Sequence, residues 1–227
     1  MNAIPAYISV GFVLTVLVTV YFFYKATNQS KVVVIVLFGW LLLQSLIGYS
    51  EFYVNTEEFP PRFLLLVLPP LLTIISLFVF SKGRQFIDGL DQKTLTFLHT
   101  IRIPMELVLY GLFVYGAIPE IMTFEGRNFD ILAGLSAPFV SYYGFRKPST
   151  SVRWKLIWNV VCLALLLNIV VHAILSAPFP FQQFAFEQPN RAVLYFPYNL
   201  LPGLVVPLVM LSHLTCIRRL LVNKDKV

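Results

Sequence analysis

Charged residues are scarce in this sequence, at 12% of the chain against about a quarter in an ordinary soluble domain. Hydrophobic residues make up 58%, and mean hydropathy is +0.77. A chain of 227 residues has too small an interior to hide that much apolar surface from water. Cysteine is scarcer still. Cys162 and Cys216 stand far apart and form no CxxC, which argues against a disulfide framework and points to reduced packing thiols. There is no Walker loop and no GxSxG elbow, and no serine has a compelling base nearby in sequence. Lysine is missing between Lys155 and Lys224, so the last apolar run lacks the Schiff-base lysine that a retinal pump needs.

What the sequence does have is long charge-poor runs, each long enough to cross about 30 Å of hydrocarbon. Seven spans are expected, at about 4–24, 32–50, 63–81, 96–117, 129–145, 154–176 and 196–217. The expected fold class is an all-α, polytopic, seven-helix integral membrane protein forming one domain over residues 1–227. Basic residues cluster after alternate spans: Lys25 and Lys31; Lys82, Arg84 and Lys93; Arg146, Lys147, Arg153 and Lys155; Arg218, Arg219, Lys224 and Lys226. The opposite loops hold Arg62, Arg127 and Arg191 against six glutamates. The positive-inside rule then puts the N-terminus outside and the C-terminus in the cytoplasm. The net charge of +6 reflects this topology and attraction to anionic lipid rather than nucleic-acid binding. The expected location is the plasma membrane, a bacterial inner membrane.

Two outer loops stand out, 119–130 and 176–199, and both are expected to be partly ordered at the membrane interface. The second is rich in Phe and Tyr, which suits either an anchor in the headgroup layer or a lid over an outward cavity. The first contains Met122-Thr-Phe-Glu-Gly-Arg-Asn-Phe-Asp130. Through that loop and its surroundings, residues 99–138, the chain resembles uncharacterised bacterial seven-span membrane proteins with an MTFEGRNFD-like outer loop. The resemblance carries no activity with it.

The fourth span opens LHTIRIPME, with His99, Arg102 and Glu106 in two turns of an otherwise apolar helix. At 100° per residue, His99, Arg102, Glu106 and Tyr110 share an arc of about 80°. Pro104 faces away and removes the donor for the Thr100 carbonyl, so a local break is expected there. A carboxylate facing lipid at midplane depth costs at least about 2.5 kcal/mol, so Glu106 should face the bundle interior, paired with Arg102 or protonated. With Asn168, Tyr198 and Asn199 from other spans, these residues form the expected ligand-binding set. His99 and His213, at matching depth, are candidate ligands of one metal ion or of the two faces of a haem iron.

The favoured use of such a centre is a small transporter or permease, or a ligand-binding bundle, with Arg102 and Glu106 at the core of the site. The alternatives are a metal- or haem-dependent membrane enzyme built on His99 and His213, and a sensor or accessory subunit. The bilayer is one partner, and a small molecule or lipid is the expected ligand. Cofactor and oligomeric state are not written in the sequence.

Overall fold

The structure, a computed structural model, describes residues 4–146 and 152–224. Lys147 and Lys226, counted above for topology, lie outside the described residues. Among the described residues there is no strand, and the protein is all-α. In chain order the helices are α1 (Ala6–Ala26), α2 (Lys31–Tyr49), α3 (Leu64–Val79), α4 (Ser81–Asp88), α5 (Gln92–Leu98), α6 (Arg102–Val114), α7 (Asp130–Gly144), α8 (Val152–Ser176) and α9 (Val206–Lys224). Five stretches are long and apolar enough to cross a membrane: α1, α2, the α5–α6 rod over Gln92–Val114, α8, and Leu201–Val222. Their outward faces are apolar, as with Ile35, Leu42, Leu107 and Val171, which suits acyl chains and not water. This is a helical membrane protein.

The α5–α6 rod sits at the centre, against α1, α7 and α9, while α8 packs along α9. Asp91 caps α5 by accepting the Thr94 N–H at 2.9 Å. The rod tightens to a 3-10 turn at His99–Ile101, at the place where Pro104 withdraws a donor. That is the break expected from the sequence.

Two of the expected spans take other forms, each for a local reason. α3 is 16 residues long and turns by 93° into α4. Phe80 between them is extended, at φ −84° and ψ 144°. The Arg84 guanidinium donates to the Val79 carbonyl at 2.6 Å and thereby covers an acceptor that the bend frees. α7 has only 15 residues, about 22 Å at 1.5 Å per residue, short of the ~30 Å hydrocarbon layer.

α7 is short because the chain before it folds back. From Glu106 to its end at Val114, α6 rises about 12 Å at 1.5 Å per residue, yet Asn128 donates to Glu106 at 2.7 Å. The 119–129 connection therefore returns along α6 to the level of Glu106. Irregular backbone of this kind needs hydrogen-bond partners of its own. Here Arg127 N–H donates to the Ile121 carbonyl at 3.3 Å, and the Asn168 side chain donates to the Arg127 carbonyl at 2.9 Å. Gly126 lies so near the Glu120 carbonyl that a Cβ would come within 2.2 Å of that oxygen.

The last span opens with a π turn, Leu201–Val205, before α9. Pro207 has no N–H to give to the Gly203 carbonyl four residues back. The Trp40 indole of α2 supplies one instead, at 2.8 Å. At the same turn Leu66 of α3 presses onto Gly203, where a Cβ would meet its Cδ1 at 2.4 Å. α3 is thus held against the π turn and α9, and has no comparable packing on α8.

Candidate functional site

The polar end of the fourth span comes together with a residue pair from the re-entrant connection. Arg102, 3% exposed, donates from Nη1 to Asp130 Oδ1 at 3.2 Å and to the Cys162 carbonyl at 3.4 Å. Its Nη2 donates to His213 Nε2 at 3.2 Å. His213 Nδ1 faces Asn159 Oδ1 at 3.0 Å, and the Asn159 amide in turn donates to the Lys155 carbonyl at 2.9 Å. A ring that accepts at Nε2 and donates at Nδ1 is the neutral tautomer, selected by its partners.

Asn128 organises the other half. Its amide donates to Glu106 Oε1 at 2.7 Å and to the Met122 carbonyl at 3.1 Å, and its Oδ1 accepts the Asp130 N–H at 3.1 Å. One side chain therefore starts α7, pins the re-entrant connection and holds Glu106. From the sequence, Glu106 is expected either to pair with Arg102, one turn away, or to be protonated. The structure gives Arg102 to Asp130 and Glu106 to Asn128, because the folded-back connection delivers both partners to that depth. Asn128 was not singled out from the sequence. Its signal is the Asn-Phe-Asp step directly before an apolar helix, a pattern of local capping.

Several valences in this cluster stay open. Arg102 Nε and Glu106 Oε2 have no protein partner although both residues are buried. Both residues, with Asn128 and Asp130, line one end of a cavity of about 420 Å³, whose walls from α3, α8, the π turn and α9 are almost wholly apolar. That volume falls within the ~300–1,000 Å³ of small-molecule sites. Loop 176–199 contributes Phe179, Phe181 and Asn190, and the Asn190 Oδ1 is also unpartnered.

The remaining expected site residues lie elsewhere. Tyr110 stacks on Phe124 at 5.0 Å, beyond the cavity lining. Asn168 secures the re-entrant connection from α8. The Tyr198 hydroxyl pairs with Ser9 at 2.8 Å, and Asn199 donates to the Gln44 carbonyl at 2.9 Å, fastening the segment that leads into the π turn to α1 and α2. His99 and His213 do come together, but as stacked rings 3.7 Å apart with planes 11° from parallel. A shared ion needs the in-plane lone pairs of two imidazoles to converge, and haem ligation needs the rings on opposite sides of the iron. In this structure the two rings stack, with His213 bonded at both nitrogens and both His99 nitrogens without a protein partner.

An all-α membrane bundle with a charged centre beside an apolar cavity is the class that the fold and the site define. The family model for a domain of unknown function, DUF8737, matches residues 60–221, so the chain belongs to that family. No curated protein and no solved structure matches the chain. The matched region holds the whole Arg102, Glu106, Asn128, Asp130 and His213 cluster and begins just ahead of α3.

Proposed function

We propose that the protein is a seven-span membrane protein, N-terminus outside and C-terminus cytoplasmic, that binds a small ligand within its bundle at the Arg102–Glu106 centre. The observation that carries the reading is the pair of unpartnered buried atoms, Arg102 Nε and Glu106 Oε2, on residues that line an otherwise apolar cavity. Buried membrane charges are costly and are retained where they serve a site. The seven-span count takes the bent α3–α4 unit and the short α7 as spans.

Glu106→Gln is the discriminating change. It keeps the oxygen that accepts from Asn128 and alters only the free atom. Native mass spectrometry of the parent in lipid nanodiscs is expected to reveal a non-covalent adduct. Glu106→Gln should retain the parent's melting temperature and lose at least nine-tenths of that adduct. No adduct in the parent, or equal adduct in both, overturns the reading. Orientation is tested with a membrane-impermeant maleimide, which should label Glu125→Cys in intact cells and Lys82→Cys only after permeabilisation.

Transport is a second reading, supported by the interrupted last span and the re-entrant connection that meet at the cavity, as in carriers built on broken helices. It predicts substrate-dependent flux in vesicles that Glu106→Gln removes. Normal flux in that variant rejects a coupling role for Glu106.

A further inference from the structure

We infer that the ligand of this cavity is a single-chain amphiphile with an uncharged hydroxyl or carbonyl head, taken sideways from the bilayer through the gap between α3 and α8. The inference rests on the binding reading above and adds the ligand's chemistry and its route.

The walls set the tail. Between α3, α8 and α9 the lining is Val67, Leu71, Leu166, Ile169, Val206 and similar side chains, which offer no hydrogen bond to a polar solute along the way. The rim sets the route. Lining residues that reach the outside, Leu64 on α3 at 45% exposure and Ile174 on α8 at 41%, are both apolar, as are the exposed Phe59 and Phe181. A mouth opening to water would carry polar groups, whereas this one matches acyl chains. Beside it α3 packs mainly on the π turn and α9, and at most slightly on α8.

The open valences set the head. Arg102 Nε offers a donor, and Glu106 Oε2 offers an acceptor, or a donor if protonated. The guanidinium's two terminal nitrogens already serve Asp130, Cys162 and His213. A phosphate or carboxylate would therefore bring a further negative charge beside two carboxyl groups, with no free guanidinium fork to receive it. An ammonium would meet Arg102. A hydroxyl or carbonyl can hydrogen-bond at this polar end of the cavity without adding charge. The head would lie at the level of Glu106, and the tail would run along the walls toward Asn190 and the gap.

Photolabelling in nanodiscs tests this with three probes bearing a mid-chain diazirine: hexadecanol, hexadecanoic acid and hexadecyl phosphate. Hexadecanol is expected to label the peptides carrying Val67 and Ile169. That labelling should fall at least tenfold in Val170→Trp, which fills the cavity without touching the charged cluster, and at least tenfold in Glu106→Gln. Leu64→Trp/Ile174→Trp, which changes only exposed rim positions, should slow the labelling at least fivefold. An unchanged rate in that double variant overturns the sideways route. Preferential, Glu106-dependent labelling by the acid or the phosphate overturns the uncharged head and leaves the binding site standing. If no probe labels the cavity while the native adduct persists, the amphiphile class is wrong and the site remains. With neither adduct nor labelling, both readings fall.

Discussion

Where α1 and α2 meet the π turn and the residues before it, polar groups join neighbouring segments: Ser9 to Tyr198, Tyr53 to Gln44, Asn199 to the Gln44 backbone, and Trp40 to the carbonyl that Pro207 leaves free. Where α6 and α7 meet beside α8 and α9, the buried polar groups include an ion pair, are cross-braced by one asparagine, and belong to residues that border a cavity. Both regions contain unpartnered atoms, since Asn199 Oδ1 has none either. Only the second has them on residues that also line a cavity. Burial of a polar residue in a membrane bundle is therefore no mark of a site by itself, because interhelical hydrogen bonds are ordinary glue. Spare hydrogen-bonding capacity next to a void is the better mark.

The sharpest way to break this contrast is Arg102→Leu. It strands Asp130 without its ion-pair partner, and the expected loss is about 3–5 kcal/mol, read as a large fall in melting temperature in detergent. Arg102→Leu/Asp130→Leu should recover much of that loss. A double variant as unstable as the single one would show that the pair's partners, and not its charge balance, hold the bundle together. Asn128→Ala comes next, at about 1–3 kcal/mol, because the Asp130 N–H and Glu106 Oε1 lose their partner together. Hydrogen exchange at residues 120–130 should rise with it.

On the other side, Trp40→Phe exposes the Gly203 carbonyl and should cost no more than about 1.7 kcal/mol, with faster exchange at Gly203–Val206. Tyr198→Phe removes one hydroxyl bond and should cost about 0.6 kcal/mol while leaving hexadecanol labelling untouched. Labelling lost in that variant would move the site and dissolve the contrast between the regions.

The smallest effect lies at the surface. The exposed Glu58 carboxyl is held below its ordinary value, chiefly by the hydrogen bond from Arg62. A carboxylate depressed on folding stabilises above its unfolded value and loses that contribution as pH falls through the folded one. Glu58→Gln should therefore differ from the parent in melting temperature most at pH 7, slightly, and not at all in strong acid. A difference that grew with acid would reverse the sign.

Much of the architecture was legible in the apolar runs, since a span must satisfy its own backbone and a helix does that from local sequence alone. The interior placement of Arg102 and Glu106 was legible for a similar reason, the cost of turning either toward lipid. Their partners were not. Asp130 stands 28 residues from Arg102 and reads as the start of another helix. Nothing in MTFEGRNFD announces that it folds back along α6. Tyr198 and Asn199 look like site residues in sequence because polarity near a span end has the same letters whether it holds a ligand or a neighbouring helix.

The sequence by itself determined the all-α class, the apolar outer faces of the long helices and the break at Pro104, because backbone donors and side-chain transfer costs are properties of each residue. Only the tertiary structure decided which carboxylate answers the guanidinium, that two histidines stack instead of converging, and where an unfilled space remains. Those outcomes depend on how segments far apart in the chain pack against one another, and side-chain spacing along a single helix does not encode that.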